Sequence, residues 1–235
     1  MTRQIMLDTE TTGLDPALGH RVIEIGCVEM LGRRLTGQRF HSYINPEREI
    51  DAGAMQVHGI TNERVDGEPV FGAIAAELID FIRGAELVIH NAAFDIGFLN
   101  QEFSLLGLDP VTRVCDGVID TLKMAREMRP GRKNNLDALC RDFGVDNSGR
   151  QLHGALLDAE LLAEVYLAMT RGQESLVMDL EPAPVAGGHA VAGERPPLRV
   201  LRASVEELTE HDRVLAEIAR ESKGKCLWLA EGAAG

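Results

Sequence analysis

No apolar run in this sequence is long enough to cross a bilayer, and no basic-then-apolar leader opens it, so the expected compartment is the cytosol. Cysteine is sparse as well. Cys27, Cys115, Cys140 and Cys226 show no C-x-x-C spacing, which removes a disulfide framework and a thiolate metal cluster and leaves free thiols in a reducing compartment. Basic residues are outnumbered, 24 Lys and Arg against 37 Asp and Glu, for a net charge of -13. Affinity for nucleic acid comes mainly from Lys and Arg neutralising phosphates, so a chain this acidic needs metal ions or a partner to hold such a substrate. Aromatic residues are also scarce, at 4%, with a single tryptophan, Trp228.

What is present suffices for one substantial core and a tail: 235 residues, 45% hydrophobic and 26% charged. The segments 3–8, 21–30 and 33–44 read as strands with short connections, most simply an antiparallel meander. A helix is predicted over 70–84, a buried strand over 86–90, and a helix over 94–107 with Phe94, Phe98, Leu99 and Phe103 at helical spacing. A further strand over 114–120 and helices near 121–128, 134–143 and 154–170 complete the pattern. A meander followed by alternating strands and helices implies an α/β fold, a mixed sheet covered by helices.

Composition then changes. Residues 179–197, DLEPAPVAGGHAVAGERPP, lack any apolar period and read as a flexible linker. Beyond it, 204–224 begins with a capping-box pattern, Ser204 with Glu207, and carries Val205, Leu208, Leu215 and Ile218 as a narrow apolar stripe. A single amphipathic helix cannot bury such a stripe alone, so it is expected to dock on something. The patch CLWLA, 226–230, holds the tryptophan, which is expected either to meet a partner or to fold back on its own domain.

The chemistry begins in MLDTETTGLD, where Asp8 and Glu10 stand two positions apart at the end of an apolar run. Side chains at i and i+2 of a strand share a face, so the carboxylates converge about 7 Å apart and repel unless something positive lies between them. A lone D-x-E is more often a solvated strand end. Further carboxylates shift that balance. In IHNAAFD, Asp95 lies just past a predicted strand, in the first turn of a helix. In HGALLD, His153 precedes Asp158 by five positions, about 140° of helical rotation, so the two share a site only if His153 sits at or before the first turn.

Taken in order, DTETTG, HNAAFD and HGALLD resemble the three motifs of the DnaQ-like (DEDDh) 3′-to-5′ exonucleases, over about residues 3–172. The phrases RRLTG, VHGIT, RGAELVIHNAAFDIGF and LHGALLDAELLAEVYLAMTRGQ point to the proofreading branch of that family. The resemblance implies a ribonuclease H-like exonuclease fold with a mixed five-stranded sheet and a flexible C-terminal tail. It implies that Asp8, Glu10, Asp95 and Asp158 hold two Mg²⁺ or Mn²⁺ ions, with Asp8 bridging both, and that His153 is the general base.

By the same resemblance Glu10, Thr11, Leu14, Val57, His58, Phe94 and Asp158 would meet the terminal nucleotide of a single-stranded 3′ DNA end, Leu14 as a wedge. Gly53 departs from the family, whose members often carry an acidic residue there. The implied organisation is a nuclease domain over 1–172, a sliding-clamp peptide over 173–178 anchored by Gln173, Leu176 and Met178, the linker, and a tail over 198–235. That tail would hold the alpha subunit of DNA polymerase III through Leu208, Leu215, Leu227 and Trp228. A small theta-type subunit is a further partner the resemblance raises. Two alternatives stay open: a free-standing nuclease trimming RNA or DNA 3′ ends, and a non-catalytic scaffold of the polymerase.

Overall fold

A computed structural model describes residues 2–150, 152–171 and 203–222. The expected clamp peptide, the linker, Cys226, Leu227 and Trp228 lie outside the described residues. The chain divides into two units between Leu180 and Glu181.

The first unit is built on a sheet of five strands in the order β3-β2-β1-β4-β5. Strands β1 (Arg3–Thr11), β2 (Val22–Leu31) and β3 (Arg34–Tyr43) form the expected antiparallel meander. Strand β4 (Glu86–Ile89) pairs parallel with β1, and β5 (Gly117–Asp120) pairs parallel with β4. The sheet is therefore mixed, as the order of patterns along the chain predicts. β5 is shorter than the predicted 114–120, because the Val114 and Cys115 amides donate to the Val111 carbonyl and close a tight turn instead of entering the sheet.

Helices α1 (Ala52–His58) and α2 (Asn62–Val65) were not expected; seven and four residues are too few to display a helical period. They cover a small core of Ile23, Ile50, Ile60 and Val65. Helices α3 (Phe71–Ile82), α4 (Ala92–Leu105), α5 (Thr121–Met128), α6 (Leu136–Phe143) and α7 (Ala155–Thr170) fall where periodicity places them.

Strand parity decides what each face of β1 meets. Ile5 and Leu7 join Phe71, Leu78, Phe98 and Phe103 in the core beneath α3 and α4. Met6 joins Val28, Met30, Ala159, Leu162 and Tyr166 in the core beneath α7. Asp8 and Glu10 share the parity of Met6 and so belong to the α7 side. Helix α7 comes close to the sheet because its buried positions Ala155, Ala159 and Ala163 are small and four residues apart, and because β2 offers Gly26 beneath its first turn.

The second unit contributes one described helix, α8 (Val205–Glu221). Its capping box forms as expected: the Ser204 hydroxyl accepts from the Glu207 amide, and the Glu207 carboxylate accepts from the Ser204 amide.

Candidate active site

The site lies at the carboxyl ends of β1 and β4, where the sheet changes from antiparallel to parallel pairing and the chain leaves in diverging directions. Asp8 and Glu10 come from the last turns of the β1 pleat, and a register shift between Glu10 and Thr11 ends regular pairing with β2. Asp95 arrives from the other face. Asn91 takes a left-handed conformation, φ 69°, which Asn tolerates better than most residues and which lets α4 follow β4 after a connection of only two residues, His90 and Asn91. This places Asp95 Oδ1 to accept from the Thr9 amide at 3.1 Å and from the Thr9 hydroxyl at 2.7 Å. Thr9, of opposite parity to Asp8, thereby ties the second motif to the first.

His153 and Asp158 come from the start of α7. Gly154 is the N-cap, so His153 stands before the first turn, the one arrangement in which a five-residue separation allows a shared site. Two interactions fix this terminus. Buried Glu24 on β2 accepts from the Ala155 amide at 3.1 Å, while its other oxygen meets His41 Nε2 at 2.7 Å. The His153 amide donates to the Val57 carbonyl at 3.2 Å, which links α1 to the site.

The result is one cleft of about 420 Å³ whose lining includes Asp8, Glu10, Asp95, His153 and Asp158. Ligand atoms of Glu10, His153 and Asp158 lie within 4.8 Å of one another. Of the other residues expected near a terminal nucleotide, Leu14, 85% exposed, and Phe94 line the cleft. Thr11 and His58 are buried behind it: the Thr11 hydroxyl donates to the Gly13 carbonyl, and His58 Nδ1 accepts from the Ile60 amide. Val57 contributes its carbonyl to the His153 amide and is not among the lining residues. Sequence reasoning overlooked Thr9, Glu24, Asp137 and Arg150. The carboxylates of Asp137 and Glu24 look like ordinary exposed charges in an α6 and a β2 pattern, and Arg150 sits in a loop without periodicity.

Burial raises the Asp8 carboxyl well above its usual range, and Asp95, Glu10 and Asp158 add repulsion. Burial, with Asp158 and Glu24 nearby, lifts Glu10 from 4.5 to about 8. Asp95 is pushed to about 7 by burial, against the opposing pull of its Thr9 hydrogen bonds. His153 is lowered from 6.5, first by burial and then by the Arg150 cation, despite Asp158. Such a set of oxygen donors, crowded and in need of positive charge, fits hard divalent cations.

A stability profile follows from Glu10. Between 4.5 and about 8 the folded protein retains a proton that the unfolded chain has released, so stability present below that window is lost as pH rises through it. In a metal chelator the melting temperature is expected to fall between about pH 5 and about pH 8. Added Mg²⁺ is expected to flatten the alkaline side. A chelator profile that climbs with pH would contradict the assignment.

A family model described as an exonuclease matches residues 5–166. The chain is 52% identical over 237 residues to the DNA polymerase III subunit epsilon of Pasteurella multocida, covering 97% of this chain and 93% of that one. It is 50% identical over 240 residues to the subunit of the same name from Escherichia coli, covering 98% of each. Among solved structures, the nuclease domain of 3′hExo, a DEDDh family member bound to rAMP, superimposes with a TM-score of 0.63 at 22% identity, over 73% of this chain and 92% of that one. The fold is thus the ribonuclease H-like one expected. With an exonuclease match over residues 5–166 and relatives half identical along nearly its full length, the chain belongs to the exonuclease family, in the group of DNA polymerase III epsilon subunits.

Proposed function

We propose that this 3′-to-5′ exonuclease proofreads for DNA polymerase III in the cytoplasmic replisome, removing mismatched 3′ nucleotides of DNA, with Asp8, Glu10, Asp95 and Asp158 as metal ligands and His153 as general base. The observation that carries the assignment of roles is the convergence of these five side chains, from three distant segments, on one cleft. Two bound Mg²⁺ or Mn²⁺ ions would supply Lewis acidity and neutralise charge on the phosphodiester in flight. His153, half-exposed and neutral near pH 7, accepts the proton of the attacking water. Thr9 holds Asp95 in place, and Glu24 holds the helix end that carries His153 and Asp158.

Leu14 at the lip and Phe94, whose ring packs 4.9 Å from that of Phe98, frame the terminal nucleotide. Thr11, Val57 and His58 support that frame from behind. The site admits an unpaired terminus, which favours frayed mismatched ends. Gln173, Leu176 and Met178 bind the sliding clamp, and Leu208 and Leu215, seven residues apart on one face of α8, bind the alpha subunit with Leu227 and Trp228. A tether of this kind raises the local concentration of nuclease at the primer end to roughly millimolar, which offsets the acidic surface.

The test is digestion of a mismatched primer-template in Mg²⁺, with and without the polymerase subunit, by the full chain and by a form ending at Gly172. Stimulation by the polymerase is expected only for the full chain. Equal stimulation of the shortened form would remove the tail from the role of tether, and digestion that persists in chelator would remove the metal ligands from theirs.

A further inference from the structure

The most heavily engaged side chain in the cleft is neither a carboxylate nor the histidine. The Arg150 side chain is 5% exposed although it comes from a loop. Its Nε donates to Asp158 Oδ1 at 2.6 Å and its Nη2 to Asp158 Oδ2 at 2.5 Å, so the guanidinium forks across both oxygens of one carboxylate. Its remaining arm, Nη1, donates to Oδ1 of half-exposed Asp137 on α6 at 2.6 Å. Nη2 also lies 2.9 and 3.3 Å from the two ring nitrogens of His153.

A carboxylate with a charged N–H on each oxygen has its strongest acceptor positions filled. A divalent cation taking an Asp158 oxygen at its remaining lone pair draws on the charge that holds the fork, and a cation beside Glu10 and His153 would repel a guanidinium at this distance, so the two compete. Asp137 offers what the displaced group needs. It already holds the third nitrogen, stands toward solvent, and lies outside the tight cluster of Glu10, His153 and Asp158.

We infer that Arg150 is a displaceable counter-ion: its guanidinium and a divalent cation compete for Asp158, and Asp137 retains the guanidinium when the cation takes its place. Arg150 is then a positioning residue that keeps the crowded carboxylates together before metal loading and sets the metal concentration at which the site fills. The inference rests on Asp158 being a metal ligand.

The experiment is Mn²⁺ titration of the full chain, read by calorimetry and by the electron paramagnetic resonance of free Mn²⁺, with folding of each variant checked by circular dichroism. Arg150→Gln is expected to bind Mn²⁺ about ten-fold more tightly than the parent, since no guanidinium has to be moved. Arg150→Lys, which keeps the charge but cannot fork, is expected to tighten binding by a smaller factor and serves if the Gln variant fails to fold. Asp137→Asn is expected to weaken binding about three-fold in the parent and to have no effect when combined with Arg150→Gln, because Asp137 acts only through Arg150. Unchanged or weaker binding by both Arg150 variants overturns the competition. An Asp137→Asn effect of equal size in the two backgrounds overturns it as well, since simple charge removal then accounts for Asp137. Asp158→Asn distinguishes the underlying reading: if it binds Mn²⁺ as tightly as the parent, Asp158 is no ligand and both statements fall.

Discussion

Replacing His153 by alanine is expected to slow hydrolysis by about a hundred- to ten-thousand-fold, the span that general-base removal usually costs. The fold should tolerate the change. The imidazole is 45% exposed, stands before α7 rather than within it, and makes its contact with Val57 through the backbone amide, which alanine keeps. The carboxylates proposed to hold metal remain. Mn²⁺ binding is therefore expected to survive while turnover does not, and the pH dependence contributed by a group titrating below 6.5 is expected to vanish from the rate profile. Single-turnover rates across pH, paired with Mn²⁺ titration, separate these outcomes. Near-parent rates for the variant would remove His153 from the role of base.

Gly26→Ala is expected to be the most damaging single methyl in the first unit. A Cβ at that position would lie 2.2 Å from the Leu156 amide nitrogen and 2.3 and 2.4 Å from the Ala155 carbonyl carbon and oxygen. These are backbone atoms of the first turn of α7, with no flexible side chain to swing aside. Either α7 lifts from the sheet or β2 bends, at a cost of about 3 kcal/mol, the upper part of the range for overpacking. The same shift carries Asp158 and His153 away from Asp8, and a displacement of about 1 Å can cost on the order of a hundred-fold in rate. Denaturant unfolding and nuclease assays measure the two effects. Gly53→Ala, where nothing lies within 4 Å of the added methyl, is the matched control and should change little. A Gly26→Ala protein as stable as that control would show that α7 does not need the close approach.

The parts of the site that were legible in the sequence are those that follow strand or helix periods. Asp8 and Glu10 declare a shared face by spacing alone, and His153 with Asp158 is compatible with a common site only in the position the helix start adopts. Glu24 was hidden because a charged residue opposite Glu10 on β2 looks like the solvent face of a strand, whereas burial beneath α7 turns it into a helix cap. Arg150 was hidden for a different reason. A long side chain from an aperiodic loop can reach many places, and only the folded arrangement of α6 and α7 selects one. Helices α1 and α2 were missed because their existence is owed to the apolar floor of Ile23, Ile50, Ile60 and Val65 rather than to any pattern of their own.

The order in which the ribosome delivers these pieces has a consequence of its own. Asp8 and Glu10 are made first, but the helix that brings Asp158 against them is, among the described residues, the last element of the first unit to emerge. A nascent chain that has exposed its strands and its first helices still lacks one wall of the cleft. On the proposed roles, a chain that has not yet folded α7 against Gly26 lacks Asp158 and His153 at the cleft, and is expected to be unable to cut the nucleic acids crowded around it.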